Sequence, residues 1–363
     1  MSTAWRGVAV AGVLAAMALA AYVLRRPSGP SPRPAVRYTA SGPDQLGQPF
    51  ADLSAADLAA FEAGQQRFRE ALPAFGPLYN DATCANCHAI PTMAGSGDLA
   101  HAAYVGPGTD TEVHFYRTRA LPGWTVEPRP PTVGPRLAPP LYGLGLVEQI
   151  PDATIRAACG RGHPDPAKPQ GSLPRNLVSR FGIKPFLGTL VDFVGSELLA
   201  QSSVTNSMEG TEDWFGRDDD AHPDPETHRD LAESLAAYVR GLRPPGRDGT
   251  DAAGEAAFRS FGCAVCHVPD MPPALDVFSD FCVHHMGEAF ADGIVDHSAQ
   301  SDEFRTTPLW GLRFRPHYLH DGRATTLDDA IAMHGGEADG AAKAYQHASD
   351  AERAALRRFL ATL

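Results

Sequence analysis

The chain lacks an excess of positive charge. Its 363 residues include 31 Lys and Arg against 43 Asp and Glu, which gives a formal net charge of -12. This balance argues against nucleic-acid binding, because a protein with that function needs a basic surface to face the phosphate backbone. An acidic surface is compatible with a basic soluble redox partner.

The chain has a long apolar run at its N-terminus, from Gly7 to Leu24, which follows Arg6. A basic residue before a run rich in small residues favours a secretory signal, and Ala18–Ala20 offers an A-x-A cleavage site. The run is also long enough to serve as an uncleaved membrane anchor. We therefore assign residues 1–26 to a signal peptide or N-terminal anchor and expect the rest of the chain to lie in the periplasm.

Cysteine is scarce, with six residues, and four of them stand in two copies of the motif C-x-x-C-H, at Cys84–His88 and Cys263–His267. This motif is the attachment signature of a c-type haem. Two cysteines three apart project from one side of a helical turn, where their sulfurs reach the two vinyl groups, and the next histidine becomes the proximal iron ligand. The predicted attachment residues are Cys84, Cys87, Cys263 and Cys266, and the predicted proximal ligands are His88 and His267.

Neither motif has the neighbours that a different chemistry would need. A structural zinc site requires a second Cys or His pair at short range, and no second C-x-x-C lies near either copy. A thioredoxin-like dithiol requires a βαβ context and has no use for the following histidine. Two copies in an exported chain therefore predict two covalently bound haems. The remaining Cys159 and Cys282 could be free buried thiols or one disulfide between the halves, and their flanks favour free thiols.

The distribution of Gly (35 residues) and Pro (32 residues) predicts short helices joined by long loops. Residues 27–48 form a linker, and residues 89–135 are loop-like. A capping signature at Ser54–Asp57 opens a helix that leads to the first haem motif. We predict a mainly α fold with two tandem cytochrome c-like haem domains and long Gly/Pro-rich loops, at residues 49–245 and 246–363.

An internal repeat supports two related haem domains. Pro140–Leu144 reads Pro-Leu-Tyr-Gly-Leu after the first motif, and Pro308–Leu312 reads Pro-Leu-Trp-Gly-Leu after the second. An arginine precedes each copy, at Arg136 and Arg305. Trp310 is either a conduit for electrons between the haems or a core residue.

The sequence resembles the bacterial di-haem oxidoreductases, which are relatives of the di-haem cytochrome c peroxidases. The matching runs are Pro135–Ile150, Ser179–Lys184, Thr307–Leu312, Tyr318–Arg323 and Ala330–Glu337. The resemblance implies an exported enzyme with a peroxidatic N-terminal haem and an electron-entry C-terminal haem. The implied reaction is reduction of hydrogen peroxide or oxidation of a partner, with a soluble cytochrome or cupredoxin as donor. A calcium ion between the domains is usual in the peroxidase relatives, although no ligand set for Ca²⁺ stands out in this sequence.

The second axial ligand of each haem decides whether it can bind an oxidant. For the C-terminal haem, counting from the His-Asp-Gly turn that begins at His320 places His334 where the peroxidases have a methionine. Met333 and Met286 are the alternatives, and a methionine would raise the reduction potential. For the N-terminal haem, the resemblance implies a displaceable loop histidine. We select His101, and the alternatives are His114 and Met93.

Cleavage of peroxide needs a general acid–base group above the iron. Glu148, with Gln149 as its polar neighbour, is our candidate, and a surface glutamate at a helix start is the alternative. His320 and Asp321 are expected to contact the haem edge. The chain is thus predicted to be a periplasmic di-haem c-type oxidoreductase of peroxidase type. The alternative is a dihaem electron-transfer protein whose irons are both fully coordinated.

Overall fold

The computed structural model describes residues 32–39, 42–72, 77–107, 113–159, 178–207, 225–296 and 299–363. Its helices are α1 Ala55–Arg69, α2 Cys84–Cys87, α3 Leu144–Val147, α4 Asp152–Cys159, α5 Leu190–Ser202, α6 Arg229–Gly241, α7 Ala252–Ser260, α8 Leu327–Ala332, α9 Asp339–His347 and α10 Asp350–Leu360. Its strands are β1 Leu78–Tyr79, β2 Ala103–Pro107, β3 Val113–Tyr116, β4 Arg119–Ala120, β5 Gly134–Arg136, β6 Val283–His285 and β7 Glu303–Arg305. The predicted signal peptide or anchor at 1–26 and part of the linker lie outside the described residues. None of the described helices is long and apolar enough to cross a membrane.

The prediction of a mainly α fold with two tandem cytochrome c-like domains is wrong. Of the described residues, 38% are helical and 13% are in strand, so the fold is mixed α/β. The strands form three small antiparallel sheets, ordered β1-β4, β3-β2-β5 and β6-β7. Residues Ala35–Leu363 form one compact unit that contains both predicted haem domains. The boundary between residues 245 and 246 stays a prediction.

The three-stranded sheet lies within residues 103–136, almost all of which belong to the segment 89–135 that the sequence predicted to be loop-like. Val105 on β2 and Val113 on β3 are buried against Ile294. Pro135 stands on the edge strand β5, where the missing N–H costs no ladder hydrogen bond. The local Gly and Pro content concealed this sheet because its apolar partner, Ile294, is distant in sequence.

Helix α1 packs along α6 and leads the chain to the first C-x-x-C-H motif. The predicted start of α1 is confirmed, since the Ser54 hydroxyl accepts a hydrogen bond from the Asp57 backbone nitrogen at 3.1 Å. The two helices approach most closely at Gly64, where a β-carbon would lie 2.1 Å from the Ser234 carbonyl oxygen. Only glycine permits that approach, which holds the helix preceding the motif against the core.

Helices α7 and α10 form a similar pair in the C-terminal part of the chain. At Gly254 a β-carbon would lie 2.3 Å from the Ala355 carbonyl oxygen, so the helices touch at this point. The ring of Phe258 lies 5.2 Å from that of Phe359, between centroids. Both haem motifs therefore follow a helix that is anchored by a glycine contact and presents an aromatic ring to the core.

The two copies of the repeat adopt the same local conformation and contact each other. Gly143 and Gly311 are both left-handed, with φ of 78° and 69°, and each precedes a short helical turn. A β-carbon on Gly143 would lie 2.5 Å from the ring of Trp310, so the tryptophan of the second copy occupies the space left by the glycine of the first. The two copies of the repeat therefore pack against each other and do not mark two separate domains.

Cys159 and Cys282 form a disulfide bond, so the preference for free thiols is wrong. The bond joins the end of α4 to the residue just before β6, across 123 positions of sequence. Both cysteines are buried. The flanking residues gave no sign of the bond because the partners meet only through the tertiary fold.

We expect the double variant Cys159→Ser/Cys282→Ser to fold with a lower free energy of unfolding. In the chain-entropy description, opening a cross-link that spans a loop of this length costs on the order of 5 kcal/mol. Denaturant unfolding of the wild type and the variant, both without reductant, measures the loss. Labelling of denatured, unreduced wild-type protein that finds both cysteines as free thiols would contradict the bond.

Candidate haem sites

The first C-x-x-C-H motif forms one turn of helix, α2, which begins after Thr83. The Thr83 hydroxyl accepts a hydrogen bond from the Asn86 backbone nitrogen at 3.2 Å and caps the turn. The backbone nitrogen of His88 donates to the Cys84 carbonyl at 3.1 Å. This turn places the two cysteines and the histidine on one side, as attachment of a single planar group requires.

The second motif reaches a similar arrangement through a left-handed residue. Gly262 has φ 89° and starts a short 3₁₀ turn at Cys263–Val265. The backbone nitrogen of His267 donates to the Cys263 carbonyl at 2.9 Å, which matches the corresponding bond in the first motif. Glycine serves at this position because the sharp turn requires a positive φ.

Nδ1 of each motif histidine donates a hydrogen bond to a backbone carbonyl, and this bond orients the ring. His88 Nδ1 donates to the Gly95 carbonyl at 3.2 Å, and His267 Nδ1 donates to the Phe278 carbonyl at 2.9 Å. Burial lowers the pKa of both imidazoles to about 4, so they are neutral. A neutral imidazole whose Nδ1 carries the proton has its lone pair on Nε2, which is the form that ligates iron.

The carbonyl acceptors belong to turns with strained backbone. Phe278 itself has φ 49°, and Ala94, which precedes Gly95, has φ 68°. A non-glycine residue in the left-handed region costs about 1–3 kcal/mol and persists where the surroundings fix it. Both turns therefore serve to aim a carbonyl at a histidine.

Three of the motif cysteines, Cys84, Cys87 and Cys263, are not thiolate sites. Burial raises the pKa of the thiols of Cys84 and Cys87 to about 12 and that of Cys263 to about 11. Metal binding and disulfide exchange both use the thiolate, which such thiols do not populate at neutral pH. This environment disfavours a zinc site or a redox dithiol and is compatible with covalent attachment of haem.

A large cavity beside His88, called here the first cavity, is built by both parts of the chain. Its N-terminal lining includes Cys84, Cys87, His88, Leu137, Pro140 and Tyr142. Its C-terminal lining is Asp296, Arg305, Thr307, Pro308, Trp310 and Arg315. Trp310 is held there by donation from its indole nitrogen to the Leu275 carbonyl at 3.1 Å. The first haem site therefore requires residues from beyond position 245.

Cationic side chains in the first cavity fit the carboxylates of a haem. Among the described residues, the lysine and arginine side chains that line it are Arg136, Lys184, Arg305 and Arg315. Burial lowers the pKa of Arg305 and Arg315 to about 10, which leaves both charged at neutral pH. Arg315 Nε is buried with no hydrogen-bond partner in the described part of the chain. An arginine donor left over in a cavity is suited to a propionate oxygen.

Glu197, on α5, is a candidate functional residue that the sequence analysis missed. It lines the first cavity, and burial raises the pKa of its carboxyl from 4.5 to about 7. Gln201 Nε2 donates to Glu197 Oε2 at 3.0 Å, and Asn80 Nδ2 donates to Gln201 Oε1 at 2.7 Å. The i, i+4 spacing of Glu197 and Gln201 predicts a shared helix face, but nothing local indicates that this face borders a cavity.

Glu148 and Gln149 do not line the first cavity themselves, although Leu190, which does, contacts Glu148. Arg240 binds Glu148 with two hydrogen bonds, from Nε to Oε2 at 2.6 Å and from Nη2 to Oε1 at 3.0 Å. The backbone nitrogen of Leu190 also donates to Oε1, at 2.8 Å, and Gln149 Nε2 donates to the Gly145 carbonyl. These contacts give Glu148 a structural partner. The catalytic role of the pair stays a prediction.

His101 lines the first cavity, as a distal ligand must. Its Nδ1 lies 2.8 Å from Asp98 Oδ1, and its Nε2 lies 3.8 Å from Asp81 Oδ2. The alternative His114 stands on strand β3 instead of in a loop, with Nε2 2.6 Å from Glu127 Oε2. The structure thus brings His101 to the cavity, and its role as ligand stays a prediction.

At the second motif, His334 has the orientation of an iron ligand. Its Nδ1 donates to the Ala330 carbonyl at 2.7 Å, which leaves Nε2 free. The charge of His334 also contributes to lowering the pKa of His267, after burial, so the two imidazoles are electrostatic neighbours. Met333 has 38% of its surface exposed, which is unlike a buried sulfur ligand. These positions favour His334 over Met333, and the assignment stays a prediction.

His320 and Asp321, expected at a haem edge, lie near Lys184, one of the cationic residues of the first cavity, and their contact with a haem stays a prediction. The His320 ring stacks on Phe304, with centroids 4.1 Å apart, and burial lowers its pKa to about 4. Lys184 lies on the same aromatic ring, with Nζ 4.8 Å from its centroid. Asp321 accepts an ion pair from Arg323. The His-Asp-Gly turn thereby supports the region from which Lys184 reaches the cavity.

Beside the second motif, His284 on β6 brings three segments together. Its Nε2 lies 3.1 Å from Asp280 Oδ2, its Nδ1 lies 2.9 Å from Glu337 Oε2, and Nδ1 is 3.8 Å from Cys266 Sγ. Cys266, Asp280 and His284 are the one group of potential metal ligands within 4.8 Å of one another in the described residues. A set with one carboxylate, one imidazole and one sulfur does not suit calcium, which prefers oxygen ligands. The expected calcium ion stays a prediction.

Residues 187–363 match the family model described as "Di-haem oxidoreductase, putative peroxidase". Among solved structures, the chain is similar to a chain of hydrazine synthase from Kuenenia stuttgartiensis, determined under 20 bar of xenon. The similarity covers 93% of this chain and 97% of that chain, with 18% sequence identity and a TM-score of 0.45. No curated protein matches the chain.

We expect the purified protein to contain two covalently bound haems per chain. The pyridine haemochrome assay should give one haem for the variant Cys263→Ser/Cys266→Ser, because its second site lacks both sulfurs. The variant Cys159→Ser/Cys282→Ser is the matched control and should retain two haems. A wild-type protein that releases its haem into acidified organic solvent would contradict covalent attachment.

Proposed function

We propose, from the membership of residues 187–363 in the di-haem oxidoreductase family, that this protein is a c-type di-haem peroxidase. In this proposal hydrogen peroxide is reduced at the first site, beside His88. The second site, beside His267, receives electrons from a soluble redox protein. The overall reaction consumes one hydrogen peroxide, two electrons and two protons and yields two waters.

The observation that supports a catalytic first site is the half-buried carboxyl of Glu197 in the first cavity. A general acid–base group works best when its pKa lies near the working pH, because it must both accept and release a proton. Burial brings the pKa of Glu197 to about 7, into that range. A site built only to carry electrons has no need of a carboxyl in such an environment.

The residues of the first cavity divide the work of the reaction. A haem bound there supplies the electron-transfer chemistry at its iron. Glu197 would take a proton from one oxygen of the bound peroxide and return it to the other, which would leave as water. Gln201 holds the Glu197 carboxyl in position, and Asn80 in turn fixes Gln201. The apolar lining, which includes Phe181, excludes water from the carboxyl and maintains its raised pKa.

The proposed location is the periplasm, and the disulfide supports it. Disulfides form and persist in oxidising compartments, and they are rare in the bacterial cytoplasm. The bond between Cys159 and Cys282 is therefore compatible with export through the N-terminal segment at 1–26. The net charge of -12 suits a basic donor such as a soluble cytochrome or cupredoxin.

We expect Glu197→Gln to lower the second-order rate constant for peroxide reduction by about 100-fold or more, because general acid–base catalysis contributes that much. Haem content and the absorption spectrum should stay unchanged. Glu148→Gln is the comparison: it weakens the ion pair with Arg240 and should lower thermal stability while the rate constant remains within a few-fold of wild type. Stopped-flow mixing of the pre-reduced protein with peroxide measures the rate constant of each variant, and thermal unfolding measures its stability. The reverse pattern would restore Glu148 as the catalytic carboxylate and remove Glu197.

The same reaction should depend on pH through Glu197. Its carboxylate must be ionised to accept the first proton, so the rate constant should rise with pH and level off above the carboxyl pKa of about 7. In Glu197→Gln this rise should disappear. A wild-type protein that is entirely low-spin and inert to peroxide at every pH would instead identify an electron-transfer protein.

A further inference from the structure

The buried imidazole of His284 lies between two carboxylates. Its residue is 2% exposed, and the hydrogen-bond distances to Asp280 and Glu337 are 3.1 Å and 2.9 Å. A carboxylate can only accept, so each ring nitrogen must carry a proton, and the ring is an imidazolium. One positive charge therefore lies between two negative ones beside Cys266.

The three partners of His284 come from the three segments that form the second site. Cys266 precedes the motif histidine His267. Asp280 lies two residues after Phe278, whose carbonyl orients His267, and its backbone nitrogen donates to the Cys266 carbonyl at 2.9 Å. Glu337 lies three residues after His334, the predicted opposite ligand.

Glu337 does more than bind the imidazolium. Its second oxygen, Oε1, accepts from the backbone nitrogen of His285 at 3.0 Å, so the carboxylate clamps strand β6 by two contacts. Close backbone packing supports this clamp, because a β-carbon on Gly336 would lie 2.1 Å from the His285 carbonyl oxygen. The segment carrying His334 is thus fastened to the strand carrying His284.

We propose that His284 is a positioning residue for the second site, which fixes the segment of His334 relative to Cys266 and sets the reduction potential of the haem bound there. The inference rests on the proposed function only in requiring a haem attached to Cys263 and Cys266. The inference does not require that electrons enter the protein at the second site.

The sign of the effect follows from charge. Reduction adds an electron to the haem, so a nearby cation stabilises the reduced form and a nearby anion destabilises it. Buried charges are screened less than exposed ones, and hydrogen bonding and burial around a haem set its potential. Removing the imidazolium takes one positive charge from between two carboxylates, whereas removing one carboxylate takes one negative charge from beside the imidazolium.

The test is a spectroelectrochemical titration of the full-length holoprotein, with the two haems resolved by their potentials and EPR signals. His284→Gln should shift the midpoint potential of the second haem downward and alter its low-spin EPR signal. His285→Gln is the matched control: it changes the adjacent histidine, whose side chain is 50% exposed and faces Asp302 and Glu303, and it should leave both readouts unchanged.

The variant Glu337→Gln should shift the midpoint potential of the second haem in the opposite direction. It therefore distinguishes an effect of charge on the potential from a general loss of folded structure. It removes a negative charge at the same place and should shift the same midpoint potential upward. Potentials of the second haem that move in one direction in both variants, or that equal the wild-type value in His284→Gln, would overturn the proposal. Neither measurement uses peroxide, so failure of the peroxidase proposal would appear separately, in the reaction of the first site.

Discussion

A hydrogen bond from Nδ1 to a backbone carbonyl orients the histidine of each C-x-x-C-H motif, and much of the surrounding structure serves to aim that carbonyl. The acceptors, at Gly95 and Phe278, lie in turns where Ala94 and Phe278 have positive φ. Such turns are strained, so they must be held by their neighbours. Helix contacts at Gly64 and Gly254 supply that support by placing the preceding helices firmly against the core.

The second organising constraint is burial of charge around planar cofactors. Arg305 and Arg315 enter the first cavity from beyond the predicted domain boundary, while Glu197 enters from α5. Near the second motif, His284 is charged because Asp280 and Glu337 flank it. Isolated buried charges are costly, and these are either paired or face the place where a haem would bring its carboxylates. The two sites thus differ. The first contains the Glu197 carboxyl, whose pKa burial raises to about 7, and the second contains an imidazolium paired with two carboxylates.

The repeat illustrates how far local sequence could lead. Pro140–Leu144 and Pro308–Leu312 were recognised as related, and their glycines share a left-handed conformation. The interpretation as two separate tandem domains failed because Trp310 of one copy packs on Gly143 of the other. Gly143 and Trp310 are 167 positions apart, and the fit of the tryptophan ring against the glycine cannot be read from the sequence pattern around either residue. Glu197 escaped notice for the same reason, since a cavity is formed by residues distant in sequence.

The sequence by itself determined the features that depend on short spacing: the two C-x-x-C-H motifs and the helix start at Ser54. These features are legible because one helical turn brings their residues together. Only the tertiary structure decided the mixed α/β fold, the disulfide of Cys159 with Cys282, and the position of Glu197 in the lining of the first cavity. Each of those depends on a long-range contact, and burial and pKa are properties of the assembled surroundings, not of the neighbours in the chain.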